Sequence, residues 1–184
     1  EGSLESFVAG FFDALAGRAA VGFASTGFDL PLMELWASRL RVAAPAYFGG
    51  EESPRTDPAY QLDLQREIAG RSGGAGRFDE LCRFHGLPGK PGLSGKDVEA
   101  LVSQGRLEEV HAYNVTDVLQ AWLLTLHTLV RSGGLDRRGA AESARQAIAL
   151  TRTQVAARLA EAGRARALLE ASLSACERAP IVSC

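Results

Sequence analysis

Leu4, Phe7, Val8, Phe11, Phe12 and Leu15 fall three and four positions apart, the spacing that lines one face of a helix. Ser3 is a ready N-cap and Gly17 a ready stop, so the pattern predicts a first helix between them. Ala19 to Ala24 reads differently: a short run of small and apolar residues, closed by Ser25-Thr26-Gly27, predicts a strand buried on both faces. A second helix is expected from about Asp29, with Pro31 in its first turn, through Leu35, Trp36 and Leu40. Asp29 then stands at a strand-to-helix turn, where α/β proteins display functional side chains.

The middle of the chain is punctuated by Gly and Pro. Gly49 to Pro58 is a polar loop, with Asp57 and Pro58 placed to cap a helix over about Tyr60 to Ala69, and Gly70 to Gly76 is a connector. Arg77 to His85 predicts a short helix, and Gly86 to Gly95 has too much Gly and Pro for regular structure. Ser94 and Asp97 resemble a capping box that opens a helix ending near Ser103. Leu107, Val110, Val118, Leu119, Trp122, Leu126 and Leu129 then mark one long helix from Arg106 to Ser132, ended by Gly133-Gly134. About 137–178 is rich in Ala and Arg and predicts one or two helices packed as a cover. Ala19 to Ala24 is the only convincing strand in this reading, yet a strand needs neighbours for its backbone donors and acceptors.

Composition narrows the class without naming a function. A chain of 184 residues, 46% hydrophobic with a mean hydropathy of −0.02, suits a single globular domain spanning 1–184. A formal net charge of −2 and a pI near 6.0 supply no global basic field, so nucleic-acid contact would rest on a local patch. Three widely spaced cysteines, Cys82, Cys176 and Cys184, indicate neither a disulfide framework nor a zinc site. No apolar run is long enough to cross a membrane and no signal peptide opens the chain, so a cytoplasmic protein with no membrane partner is expected. The start lacks an initiator methionine and opens directly on a helix pattern, which leads to the expectation that sequence ahead of Glu1 is missing.

The candidate chemistry lies in Tyr113-Asn114-Val115-Thr116-Asp117. Tyr113 and Asp117 are four apart, so on a helix a phenol and a carboxylate share one face. Upstream, Val21 to Pro31 includes Gly27-Phe28-Asp29-Leu30-Pro31, and between the two tracts stands Gly86-Leu87-Pro88-Gly89-Lys90. In order and spacing these three segments, from roughly Phe7 to Leu135, resemble the predicted 3′-5′ exonucleases related to the proofreading domain of family B DNA polymerases. That group is of the DEDDy type. The resemblance implies a helix-rich α/β fold of the ribonuclease-H-like kind, and hydrolysis of single-stranded DNA or RNA from its 3′ end. It also implies two Mg²⁺ or Mn²⁺ ions held by carboxylates, about 3.5–4 Å apart in such sites. Asp117 would then bind one ion, Asp29 the second mainly through water, and Tyr113 would orient the attacking water.

Phe28, Asp63, Lys90 and Lys96 are weaker candidates for substrate contact, the two lysines because they flank a Gly-rich loop that could approach phosphates. The chain departs from the pattern in three places. No Asp-x-Glu precedes Asp29, Ala24 stands where Asn is usual, and Gln61 stands where His is usual ahead of Asp63. The sheet strands that would carry Asp-x-Glu are thus expected to be missing from this chain, to be supplied by a further N-terminal segment or by a partner copy in a homo-oligomer. Other readings stay open: a non-catalytic scaffold or nucleic-acid-binding subunit, and a helical interaction module. Asp29 could be a simple N-cap, Tyr113 and Asp117 a surface pair, and His111 a solvent-exposed side chain. Core packing is expected for Trp36 and Trp122, and a solvated flank for Arg131, Arg138, Arg145 and Arg152.

Overall fold

A computed structural model of the chain describes residues 2–49, 53–69, 76–90, 94–159 and 163–183. Most of the predicted Gly70 to Gly76 connector, part of the Gly49 to Pro58 loop, and Cys184 lie outside them. The fold divides into two units, Glu1–Ala75 and Gly76–Cys184.

The first unit begins with α1 (Leu4–Leu15), whose N-terminus is capped by the Ser3 side chain accepting from the Ser6 N–H at 3.1 Å. Strand β1 (Ala20–Gly22) follows, then a turn leading into α2 (Asp29–Leu40) and the single turn α3 (Pro45–Phe48). Val8, Phe12, Ala37 and Tyr47 form the core between these helices, with Met33, Trp36 and Leu40 packed against it. The Phe12 ring lies 4.8 Å from that of Tyr47 at a tilt of 54°, so an aromatic contact adds to the apolar burial. Trp36 meets its expectation of core packing.

Two sequence expectations need correction here. The helix predicted from Tyr60 to Ala69 starts only at Leu64: Pro58–Tyr60 is a 3-10 turn, Gln61–Asp63 is strand β2, and α4 covers Leu64–Ala69. The cause is tertiary. β2 pairs in parallel with β1, Ala20 opposite Gln61 and Gly22 opposite Asp63. The Asp63 carboxylate bonds the turn after β1 and simultaneously caps α4 through the Gln65 N–H at 3.1 Å. The partner that β1 required is therefore supplied from within the chain. β1 itself is not buried on both faces as predicted; Val21 is 38% exposed, because β2 is the one strand beside it among the described residues.

The second unit is helical. Helix α5 (Phe78–Phe84) leads through the Gly86–Lys90 loop to α6 (Gly95–Ser103), and the predicted capping box is present, Asp97 accepting from the Ser94 N–H at 2.7 Å. Helix α7 (Leu107–Ser132) packs against α8 (Arg137–Arg158) and α9 (Gly163–Glu177). The Ala-rich sequence of α8 serves this packing: Ala140, Ala141 and Ala144 are fully buried beside Ile148, Leu169 and Leu173. Arg152 is not a solvated flank residue, since it bonds Glu170 and Glu177 and so ties α8 to α9, while Arg145 donates to the Val182 carbonyl. Trp122 also departs from its expected core position. The buried stripe of α7 runs through Ala112, Thr116, Leu119, Leu123 and Leu126, and Trp122 falls beside it on the exposed side.

Candidate active site

In the first unit the chemistry centres on the turn between β1 and α2. Ala24 adopts a left-handed φ of +58°, a conformation that costs an L-residue with a Cβ roughly 1–2 kcal/mol. Asp63 holds it there: one carboxylate oxygen accepts from the Ala24 N–H at 2.9 Å, and the other accepts from the Thr26 N–H at 3.2 Å and the Thr26 hydroxyl at 2.6 Å. Asp63 is only 5% exposed. Burial would raise its pKa, but the bonds from Thr26, Ala24 and Gln65 outweigh it and hold the carboxyl below its ordinary value of 3.8. Its oxygens are occupied by the protein's own backbone and by the Thr26 hydroxyl. Gly22 completes the turn, because a Cβ there would lie 2.5 Å from that of Ser25.

Asp29 opens α2 from this turn. It is not a simple N-cap: the cap position is Phe28, which makes no side-chain capping bond. Its carboxyl has no hydrogen-bond partner among the described residues, and its pKa is pushed above 3.8 by partial loss of hydration and then by the negative charge of Asp63. Asp63 thus fixes the turn and Asp29 presents a carboxylate from it. Phe28 beside it is 66% exposed.

The second unit brings together three predicted residues from two separated motifs. Tyr113 and Asp117 share a face of α7, as their spacing requires. Lys90, at the end of the Gly-rich loop, places its ammonium between them, donating to the Tyr113 hydroxyl at 2.6 Å and standing 3.0 Å from Asp117 Oδ2. The same nitrogen lies 5.1 Å from the Tyr113 ring centroid and 5.7 Å from that of Phe78, a cation between two aromatic faces. Burial raises the pKa of Asp117, opposed by Lys90 and by the Tyr113 hydroxyl, and the net direction is up. For Lys90, burial favours the neutral amine, yet the bonds to Tyr113 and Asp117 prevail and its pKa is raised. The ammonium is thus held more firmly in its charged form beside a carboxyl that burial draws toward its neutral one. Lys96 takes no part in these bonds and stands exposed in the first turn of α6. His111 is exposed, as expected.

Sequence reasoning missed two residues that support this cluster. Gln120 is fully buried, and its amide bonds both polar atoms of Gly89, accepting from the N–H at 2.7 Å and donating to the carbonyl at 2.8 Å. Asp79 accepts from the Lys90 N–H at 2.6 Å. The one sequence signal for Gln120 is its place on the Tyr113–Asp117 face of α7, as a polar residue inside an apolar stretch.

Whether these residues suit a divalent ion can be judged from the donors. Mg²⁺ and Mn²⁺ need several hard oxygen ligands. Among the described residues no three Asp, Glu, His or Cys side chains converge as a metal site. The Asp117 carboxylate is already paired with an ammonium, and the Asp63 oxygens are taken up by backbone donors. Taken unit by unit, the described residues do not make a two-metal centre.

A helix-rich α/β chain with a small parallel sheet is compatible with an exonuclease-like domain. No helix among the described residues is long and apolar enough to cross a membrane. No curated protein and no solved structure matches the chain. The family described as "Predicted 3'-5' exonuclease related to the exonuclease domain of PolB" matches residues 1–162. With that match over most of its length, the chain belongs to the family of predicted 3′-5′ exonucleases related to the exonuclease domain of PolB.

Proposed function

We propose that this chain is a 3′-5′ exonuclease-like protein that trims single-stranded DNA, or RNA, from the 3′ end. The observation that supports it best is the convergence of Lys90, Tyr113 and Asp117, which come from two motifs far apart in sequence, in one hydrogen-bonded group. In this reading Asp117 is the second unit's reacting carboxylate and Tyr113 orients the attacking water, while Asp29 is the first unit's own candidate carboxylate. Lys90 meets a substrate phosphate, and Phe28 is the first unit's own candidate for contact with a base. The Mg²⁺ or Mn²⁺ ions that family chemistry calls for would need additional carboxylates from a further N-terminal segment or a partner copy, which would also extend the sheet beside β1. A reducing cytoplasm suits the two free, buried thiols of Cys82 and Cys176.

A second reading has its own support. An Asp117 neutralised by Lys90, in a chain without a three-ligand cluster among its described residues, is also what a non-catalytic scaffold or nucleic-acid-binding descendant would carry. One experiment separates the two. A 5′-labelled single-stranded oligonucleotide is incubated with Mn²⁺ and either these 184 residues or the chain extended by its upstream gene sequence, with D117N versions of both. The exonuclease reading expects little turnover from the 184 residues, stepwise 3′ trimming by the extended chain, and its loss in D117N. Binding without trimming by the extended chain supports the scaffold, and robust trimming by the 184 residues alone refutes the incomplete centre.

A further inference from the structure

The ammonium of Lys90 is aimed with more constraint than a lysine ordinarily has. A lysine side chain carries about 2 kcal/mol of rotamer entropy, so where its root is fixed decides what its charge reaches. The root here is the peptide joining Gly89 to Lys90. Its carbonyl accepts from Gln120 Nε2 at 2.8 Å, and its N–H donates to Asp79 Oδ1 at 2.6 Å. Both polar atoms of one peptide group are thus bonded to side chains from two different helices, α7 and α5. Gln120 also accepts from the Gly89 N–H at 2.7 Å, which pins the peptide group before it. Gly89 has φ +71°, and a Cβ there would collide with Asp79 Oδ1, so the loop path requires glycine at this point.

Gln120 lies one turn beyond Asp117 and two beyond Tyr113 on the same face of α7, so clamp and target ride on one rigid element. A buried amide is costly unless its bonds are made, and an apolar side chain would fill that space at lower cost if filling were its whole task. We propose that Gln120, acting with Asp79, is the positioning residue that directs the Lys90 ammonium onto Tyr113 and Asp117. This rests on reading those three residues as the chemical centre of the second unit.

The test needs neither metal nor substrate. The chain contains two lysines, Lys90 and the exposed Lys96, so ¹³C,¹⁵N-lysine labelling gives one reporter and one internal reference. In the wild type, the Lys90 side chain shows contacts to the Tyr113 ring and a signal distinct from that of Lys96. In Q120M, with circular dichroism confirming the fold, those contacts vanish and the Lys90 signal moves to that of Lys96. A Gln120 that only stabilises the loop would lower the melting temperature and leave the Lys90 signal in place, and that result overturns the proposal. Should Q120M fail to fold, Asp79 decides, since its side chain is partly exposed. D79N keeps an acceptor for the Lys90 N–H and is expected to keep the contacts, whereas D79A loses them; any other pattern overturns the proposal. Absence of nuclease activity in the extended chain would count against the exonuclease reading and leave this measurement standing.

Discussion

Replacing Lys90 by Met keeps the apolar stem between Phe78 and Tyr113 but removes the charge beside Asp117. At 3.0 Å and an effective dielectric constant of about 20, the gross attraction is about 5.5 kcal/mol. Hydration opposes much of that. Exposed ion pairs contribute about 0–1 kcal/mol, while removing one partner of a buried pair costs about 3–5 kcal/mol. With the Lys90 and Asp117 side chains 29% and 24% exposed, this pair lies between those limits, and K90M should lose about 2 kcal/mol at neutral pH. The pH dependence follows from Asp117. Its folded pKa is already above 3.8 through burial, and losing Lys90 removes the chief opposing influence, so it rises further. A carboxyl with a raised folded pKa binds its proton more readily in the folded state, so K90M regains stability as pH falls from neutral toward 3.8. Urea denaturation of wild type, K90M, D117N and the double variant at pH 7 and pH 4 measures both effects. The double variant should lose less than the sum of the single ones, because no orphan carboxylate remains. Additive losses, or a K90M deficit unchanged between the two pH values, would refute the charge pairing as the source of stability.

Three further outcomes follow from the same geometry. D63N puts an amide N–H₂ against donors that now meet a carboxylate oxygen, and should cost about 2–3 kcal/mol in chemical denaturation; a loss below about 0.5 kcal/mol would show that the Ala24–Thr26 turn holds itself. Because the Asp63 pKa is lowered on folding, its contribution is present above 3.8 and lost as pH falls through the folded value, so wild type but not D63N should lose that increment in acid. A24G relieves the left-handed strain of roughly 1–2 kcal/mol against a rise in unfolded-state entropy of about 0.4–1 kcal/mol, so a small net gain in melting temperature is expected and a clear drop would contradict it. The thiols of Cys82 and Cys176 are fully buried and pushed up to about 12, burial being the larger cause, with Asp117 and Asp79 adding for Cys82 and Glu177 for Cys176. In a C184S background, thiol reagents should label the native protein at the rate of opening, independent of reagent concentration at saturation, and fast reagent-limited labelling would contradict this burial.

What could be read from the sequence divides according to how far away each residue's partner lies. Ser3 caps α1 through Ser6, Asp97 bonds Ser94, and Tyr113 meets Asp117 across one helical turn; each of these is local, and each was legible. Gln61-Leu62-Asp63 is too short for any period to show, and it reads as helix until Asp63 finds Ala24, 39 positions upstream. Gln120 acquires its role from a loop 31 positions away whose path no local rule specifies. The Gly-rich tract showed that Lys90 sits beside an irregular loop, and only the clamp at Gly89 shows where its charge goes. Asp63 and Gln120 share a further property: each is a buried polar side chain whose partners are backbone groups of a turn in another part of its own unit. Such residues follow neither a hydrophobic period nor a spacing motif, since their partners are peptide groups that any sequence provides. Ala24 bears this out from the other side. The left-handed turn is kept at a residue with a Cβ because Asp63 supplies the bonds that hold it. The catalytic-looking side chains are thus the visible part of the site, and the buried acceptors and donors that place them become visible only once the chain is folded.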